Sequence, residues 1–130
     1  MKKIYHLAVD ATLDFIRGKW KLRILCHLGN GTLRTGELRR LMPGISQKML
    51  TQSLKELENA HIVSRRSYNE VPPRVEYSLT ERGMSLRDIL VEMSDWGSAL
   101  VKARQEEGDD VRILNSDDEG FKNMGSQANK

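Results

Sequence analysis

Between Ser46 and Glu58, polar side chains able to donate hydrogen bonds recur at helical spacing: Ser46, Gln47, Lys48, Thr51, Gln52 and Lys55. At about 100° per residue, Lys48, Thr51, Gln52 and Lys55 gather on one side, with Gln47 at its edge. Met49, Leu50, Ser53, Leu54 and Leu57 gather on the other. An ordinary solvated face interleaves Glu with Lys. This one carries two cations, a hydroxyl and a carboxamide, and Glu56 and Glu58 stay at the flank and the far end. Such a set can donate to phosphates and read base edges in a major groove. A plain amphipathic helix would look much the same, so the neighbouring segments must decide.

A second cationic set, Arg65, Arg66 and Arg74, lies in a stretch whose pattern has period two. Other chemistries lack their constellations. His6, His27 and His61 stand alone, without a second ligand at metal spacing. No nucleophile sits in an elbow motif, and no glycine-rich phosphate loop occurs. The densest carboxylates lie near the C-terminus, where no rigid element would position them. The expectation is no metal, no cofactor and no enzymatic activity. Cys26 is the only cysteine, which rules out an intramolecular disulfide and fits a reducing compartment. Its favoured reading is a small packing residue. A redox role would need an exposed thiolate of low pKa, which nearby Lys19, Arg23 and His27 suggest only weakly.

The totals agree with a nucleic-acid partner. The 130 residues suffice for one domain with a mostly aliphatic core, since aromatic content is 5%. Residues 1–105 hold 18 Lys+Arg against 11 Asp+Glu, a net +7, whereas residues 106–130 hold 3 against 7, a net −4. A basic domain with an acidic tail favours polyanions. No run of about 18 apolar residues is present, and neither a signal peptide nor a membrane contact is expected. A cytoplasmic location is expected.

The elements that would position these residues can be read in order. A first helix is expected over 4–17, ended or bent by Gly18, and a central second helix over 19–28. A short helix, Thr35 to Leu41, comes next with Thr35 as its cap and Arg34, Arg39 and Arg40 outward. Pro43-Gly44 breaks the chain, and Ser46 is placed to cap the next helix, about 46–58. Two short helices joined by a tight turn form a helix-turn-helix. From Ile62 to Tyr68 and from Arg74 to Leu79 the pattern becomes that of strands, with Val75, Tyr77 and Leu79 on one face. Between them lies Asn69-Glu70-Val71-Pro72-Pro73, a connection in which the prolines prevent laddering, so residues 62–79 form a hairpin wing. The predicted class is mainly α with a small β-hairpin wing (α+β), a winged helix-turn-helix with a long C-terminal dimerisation helix.

That last helix is expected from Met84 to Gln105, after a cap at Thr80. Its stripe of Leu86, Ile89, Leu90, Met93, Trp96 and Leu100 is too long to hide on a small winged core. A second copy would cover it; folding back on its own domain is the alternative. Residues 1–105 are thus expected to be the binding and dimerisation domain, and residues 106–130 an unstructured acidic tail.

With these segments in place the sequence resembles the HxlR-type winged helix-turn-helix regulators, related to the MarR group. The resemblance rests on Ala11-Thr12-Leu13-Asp14-Phe15-Ile16, Gly18-Lys19-Trp20-Lys21, Glu37-Leu38-Arg39-Arg40, Pro43 to Thr51, Val71 to Thr80 and Asp95-Trp96-Gly97. It covers about residues 7–102. It implies a DNA-binding transcriptional regulator, usually a homodimer, with a recognition helix starting at Ser46 and a double-stranded, pseudo-palindromic operator. Many members carry a cysteine before the first helix, and several of those sense oxidants, quinones or aldehydes with it. The matching position here is Leu7, which closes that route. An unidentified small-molecule effector, between the long C-terminal helix and the first helices, remains open on fold analogy. The competing reading is a winged-helix module that binds protein; it lacks the apolar patch such a surface would show over residues 47–55.

Overall fold

The computed structural model describes residues 3–114 and 118–124. Its first helix, α1 (Ala8–Ile16), is shorter than the expected 4–17. The backbone N–H of Leu7 donates to the Asp10 carboxylate at 3.1 Å, which fixes the start. Gly18, at φ +105°, turns the chain away at the other end, a backbone geometry that suits glycine. The second helix, α2 (Lys21–Leu28), is central as expected: Ile24, Leu25, Cys26 and Leu28 are all buried.

A two-residue strand that the sequence did not announce comes next, β1 (Leu33–Arg34). Then come α3 (Thr35–Leu41), α4 (Gln47–Asn59) and the hairpin β2 (Val63–Tyr68) and β3 (Arg74–Leu79). Thr35 is the first residue of α3 rather than its cap. The cap position is Arg34, whose N–H donates to Glu37 Oε1 at 2.9 Å. The sheet is antiparallel with order β1-β3-β2. Leu33 pairs with Tyr77 and Val63 with Leu79, so these four line one sheet face. Val63 and its partners press that face on the helices, whose core residues include Ile24, Leu25, Leu38, Leu50, Leu54 and Leu57. This is the winged helix-turn-helix with a small sheet that the pattern predicted.

Beyond the wing the chain differs from the single long helix expected from Met84. Thr80 does cap a helix, accepting from the Gly83 N–H at 3.0 Å, but that helix is the short α5 (Glu81–Met84). The long helix α6 (Arg87–Glu106) starts after a break. Gly83 causes the close approach there: a Cβ on it would stand 2.3 Å from the Ile62 carbonyl oxygen. Thr80 adds a hydroxyl donation to the His61 carbonyl at 2.5 Å. The foot of the wing, the end of α4 and the start of α6 are thereby tied together.

The acidic tail also differs. Residues 118–122 form α7 (Asp118–Lys122), which lies against α2 and α6. Met124 is buried in the main core, with Phe121 packed against it. Arg87 Nε donates to the Lys122 carbonyl at 2.9 Å, and Asn123 Nδ2 to Asn30 Oδ1 at 2.8 Å. Glycines permit this approach: a Cβ on Gly120 would meet the Cys26 carbonyl oxygen at 2.1 Å, and one on Gly29 the Gly120 oxygen at 1.9 Å. The remainder of the expected tail, residues 115–117 and 125–130, lies outside the described residues. Among the described residues no helix is long and apolar enough to cross a membrane.

Candidate nucleic-acid interface

The geometry of α4 begins with its ends. Gly44, at φ +92°, makes the turn after α3, and Ser46 Oγ accepts from the Met49 N–H at 3.1 Å. At the far end His61 takes φ +60°, and the N–H groups of Ile62 and His61 bond to the carbonyls of Leu57 and Glu58, each at 2.9 Å. This is a Schellman closure with histidine in the place glycine usually takes. Between the caps, Leu50, Ser53, Leu54 and Leu57 are buried, which locks the helix's rotation on the core. Met49, expected to face inward, is 40% exposed.

Gln47, Lys48, Thr51, Gln52 and Lys55 are all exposed, on the side opposite the core. Among the described residues, Lys48 and Lys55 enter no ion pair. Gln52 Nε2 reaches Glu56 Oε1 at 3.5 Å, and Glu56 pairs with Lys21 of α2 at 3.0 Å. The hydrogen bond from Lys21 holds the Glu56 carboxyl below its usual range. The Glu56 carboxylate beside this face is thus already satisfied. Gln47 is linked across the turn: Arg39 Nη1 donates to Gln47 Oε1 at 3.4 Å, and Gln47 Nε2 to Thr51 Oγ1 at 3.3 Å. Arg39 and Arg40 are exposed on α3, beside the start of α4. Neither is among the contacts expected from the sequence, although an Arg pair just ahead of the Pro-Gly turn is the available signal.

The three wing arginines do not act as one set. Arg65 and Arg66 are exposed and, as neighbours on a strand, point to opposite faces. Arg66 and Arg74 share the outer face, their guanidinium groups 4.8 and 3.9 Å from the Tyr68 ring centroid. Arg74 is further held by Glu70 at 3.1 Å and Glu76 at 3.4 Å, the latter contact off the line of a hydrogen bond, and its side chain is only 27% exposed. It was expected, with Arg65 and Arg66, to grip DNA backbone or minor groove; in the free chain its guanidinium braces the two strands through Tyr68, Glu70 and Glu76.

Two other expectations meet the structure at α6 and Cys26. Leu90 is 2% exposed in the core of its own chain, and Leu86 packs against that core. Both were expected in the surface stripe; Leu90 is enclosed by its own chain, and Leu86 is partly exposed. Ile89, Met93, Trp96 and Leu100, rotated around the helix, do remain exposed. Cys26 is 5% exposed beneath Gly120, the buried packing position favoured for it. A cleft of about 680 Å³ opens between α1, the α1–α2 loop and α4, with Phe15, Trp20, Met49 and Gln52 in its wall. Its lining includes no residue of α6, unlike the effector site suggested by analogy.

Residues 15–105, from the end of α1 nearly to the end of α6, match the family described as HxlR-like helix-turn-helix. The chain belongs to that family. HxlR-like relatives include the HTH-type transcriptional regulator YtcD of Bacillus subtilis, 57% identical over 97 residues that span 75% of this chain and 77% of the relative. YkvN of the same organism is 49% identical over 109 residues, 84% of this chain and 92% of the relative. The solved structure of YtcD superposes with TM-score 0.70 at 53% identity, covering 74% of this chain and 98% of that one. A MarR-family regulator from Enterococcus faecalis gives TM-score 0.71 at 40% identity, covering 82% and 96%. As an HxlR-like protein, the chain is a helix-turn-helix transcriptional regulator. The α7 segment lies beyond the matched residues.

Proposed function

We propose that this HxlR-like protein acts in the cytoplasm as a homodimer that binds a pseudo-palindromic operator. The recognition helix α4 enters the major groove, and the wing lies on backbone or minor groove. The observation that carries the reading is the outward face of α4. It presents Lys48, Thr51, Gln52 and Lys55 on a helix capped at both ends, and among the described residues no carboxylate pairs with either lysine. Ser46 and Gln47 meet phosphate or base edges at the helix start. Arg65 and Arg66 supply the wing's exposed charge, and Arg74 braces the hairpin that carries them. The stripe of Ile89, Met93, Trp96 and Leu100 supports a second copy, because four large apolar side chains on one helix face are otherwise left in water. Two recognition helices would then address half-sites one helical turn apart. With leucine at position 7 and Cys26 enclosed, thiol oxidation has no part in this reading.

The test is binding to random-sequence and promoter duplexes across a salt series. Lys48→Ala and Arg65→Ala should each weaken binding on every sequence and flatten the salt slope by about one. Two chains should bind per site. A folded sample that binds no duplex at low salt would move the protein-binding module to the front.

A further inference from the structure

We infer that Arg39, on the helix ahead of the recognition helix, is a positioning residue that sets which base α4 reads, by fixing the carboxamide of Gln47. The inference rests on the proposed DNA binding and goes beyond it to the choice of base. A glutamine amide has two ends of similar size and opposite hydrogen-bonding character. A guanidinium can only donate, so it holds the Oε1 end of Gln47 toward α3, at 3.4 Å. The Nε2 end is thereby turned to Thr51, where it donates to Oγ1 at 3.3 Å. Thr51 accepts through its oxygen, so its own hydroxyl proton is available to a further acceptor. The exposed edge of this pair offers donors: the second Nε2 hydrogen of Gln47 and the Thr51 hydroxyl.

The consequence can be read from the major-groove edges of the bases. Adenine presents one acceptor and one donor, and a carboxamide free to turn matches it with both ends. Guanine presents two acceptors, N7 and O6, which suit an edge of donors. With its oxygen held by Arg39, Gln47 is biased from adenine toward guanine. Among the described residues Arg39 enters no ion pair, so nothing competes with Gln47 for the guanidinium. The link also spans the Pro43-Gly44 turn. It therefore couples α3 to the first residue of α4.

The experiment is in vitro selection from a random-sequence duplex pool with the intact chain, Arg39→Ala, Arg39→Lys, Gln47→Ala and the Arg39→Ala/Gln47→Ala double variant. The wild type should enrich guanine at one position in each half-site. Arg39→Ala should move that position toward adenine by on the order of tenfold in relative frequency, and leave the other positions as they were. Arg39→Lys, which still donates, should keep the wild-type base. In the Gln47→Ala background, removing Arg39 should not alter that position further. An unchanged preference with uniformly weaker recovery for Arg39→Ala would make Arg39 a phosphate contact only and overturn the inference. So would a shift that persists without Gln47. If the wild type enriches nothing, the DNA reading fails first, and this inference falls with it.

Discussion

Ser46 and His61 bracket the recognition helix, and each does so through one backbone position. Ser46→Ala removes the oxygen that accepts the Met49 N–H. It should lower stability by about 1 kcal/mol, read as a shift of the urea midpoint at constant slope, while Ser46→Asp should retain most of it. His61 is in the left-handed region at φ +60°, where a Cβ is unfavourable. His61→Gly should raise stability by about 0.5–1 kcal/mol; a loss in the same titration would show that the imidazole has a role in the fold. Asp14 offers a pH signature. Hydrogen bonds from Lys3 and Tyr5 hold its carboxyl down to about 2 from an ordinary 3.8. A carboxyl acidified by folding contributes stability that is present above its ordinary pKa and is lost as pH falls toward 2. The melting temperature of the wild type should therefore approach that of Asp14→Asn between pH 4 and pH 2. Ser46 was legible because a hydroxyl ahead of an amphipathic run has one obvious use. His61 was not, because its backbone angle is imposed by the direction in which strand β2 leaves the helix.

The elements differ in how far they could be read. The recognition helix and the hairpin strands agree to within about a residue of their expected limits, because the periods of 3.6 and 2 are carried by large aliphatic side chains. β1 has two residues, too few for any alternation to show. On α6 the apolar arc was visible, but its division was not. Only packing decides that Leu86 and Leu90 turn inward while Met93 and Trp96 turn out. α7 was hidden by its acidic, glycine-containing surroundings. It docks through two glycines and two apolar side chains, a match of shapes rather than of pattern. Gly120→Val should therefore undock α7, because its Cβ would meet backbone rather than a side chain that can move aside. A lowered melting temperature and faster amide exchange at the end of α2 are expected. Unchanged exchange would mean that the contact contributes nothing to the fold.

For the whole molecule, the distribution of charge and apolar surface separates two tasks. The recognition face and wing carry uncompensated cations, whereas the outward stripe of α6 carries none between Ile89 and Leu100. Trp96 is 69% exposed in the single chain. Trp96→Glu should convert the proposed dimer to monomer in sedimentation, and should reduce operator affinity without altering the preferred bases. A monomeric wild type would reassign the stripe. The family resemblance supplied the purpose, transcriptional control, which no arrangement of charges could have supplied alone. The seal of α7 over α2 has a further consequence. The chain's one sulfhydryl, that of Cys26, lies under it, so the pace at which a thiol reagent labels the native protein is a clock for excursions of the C-terminal segment. Labelling faster than global unfolding would show that this corner opens on its own while the DNA-reading half stays shut.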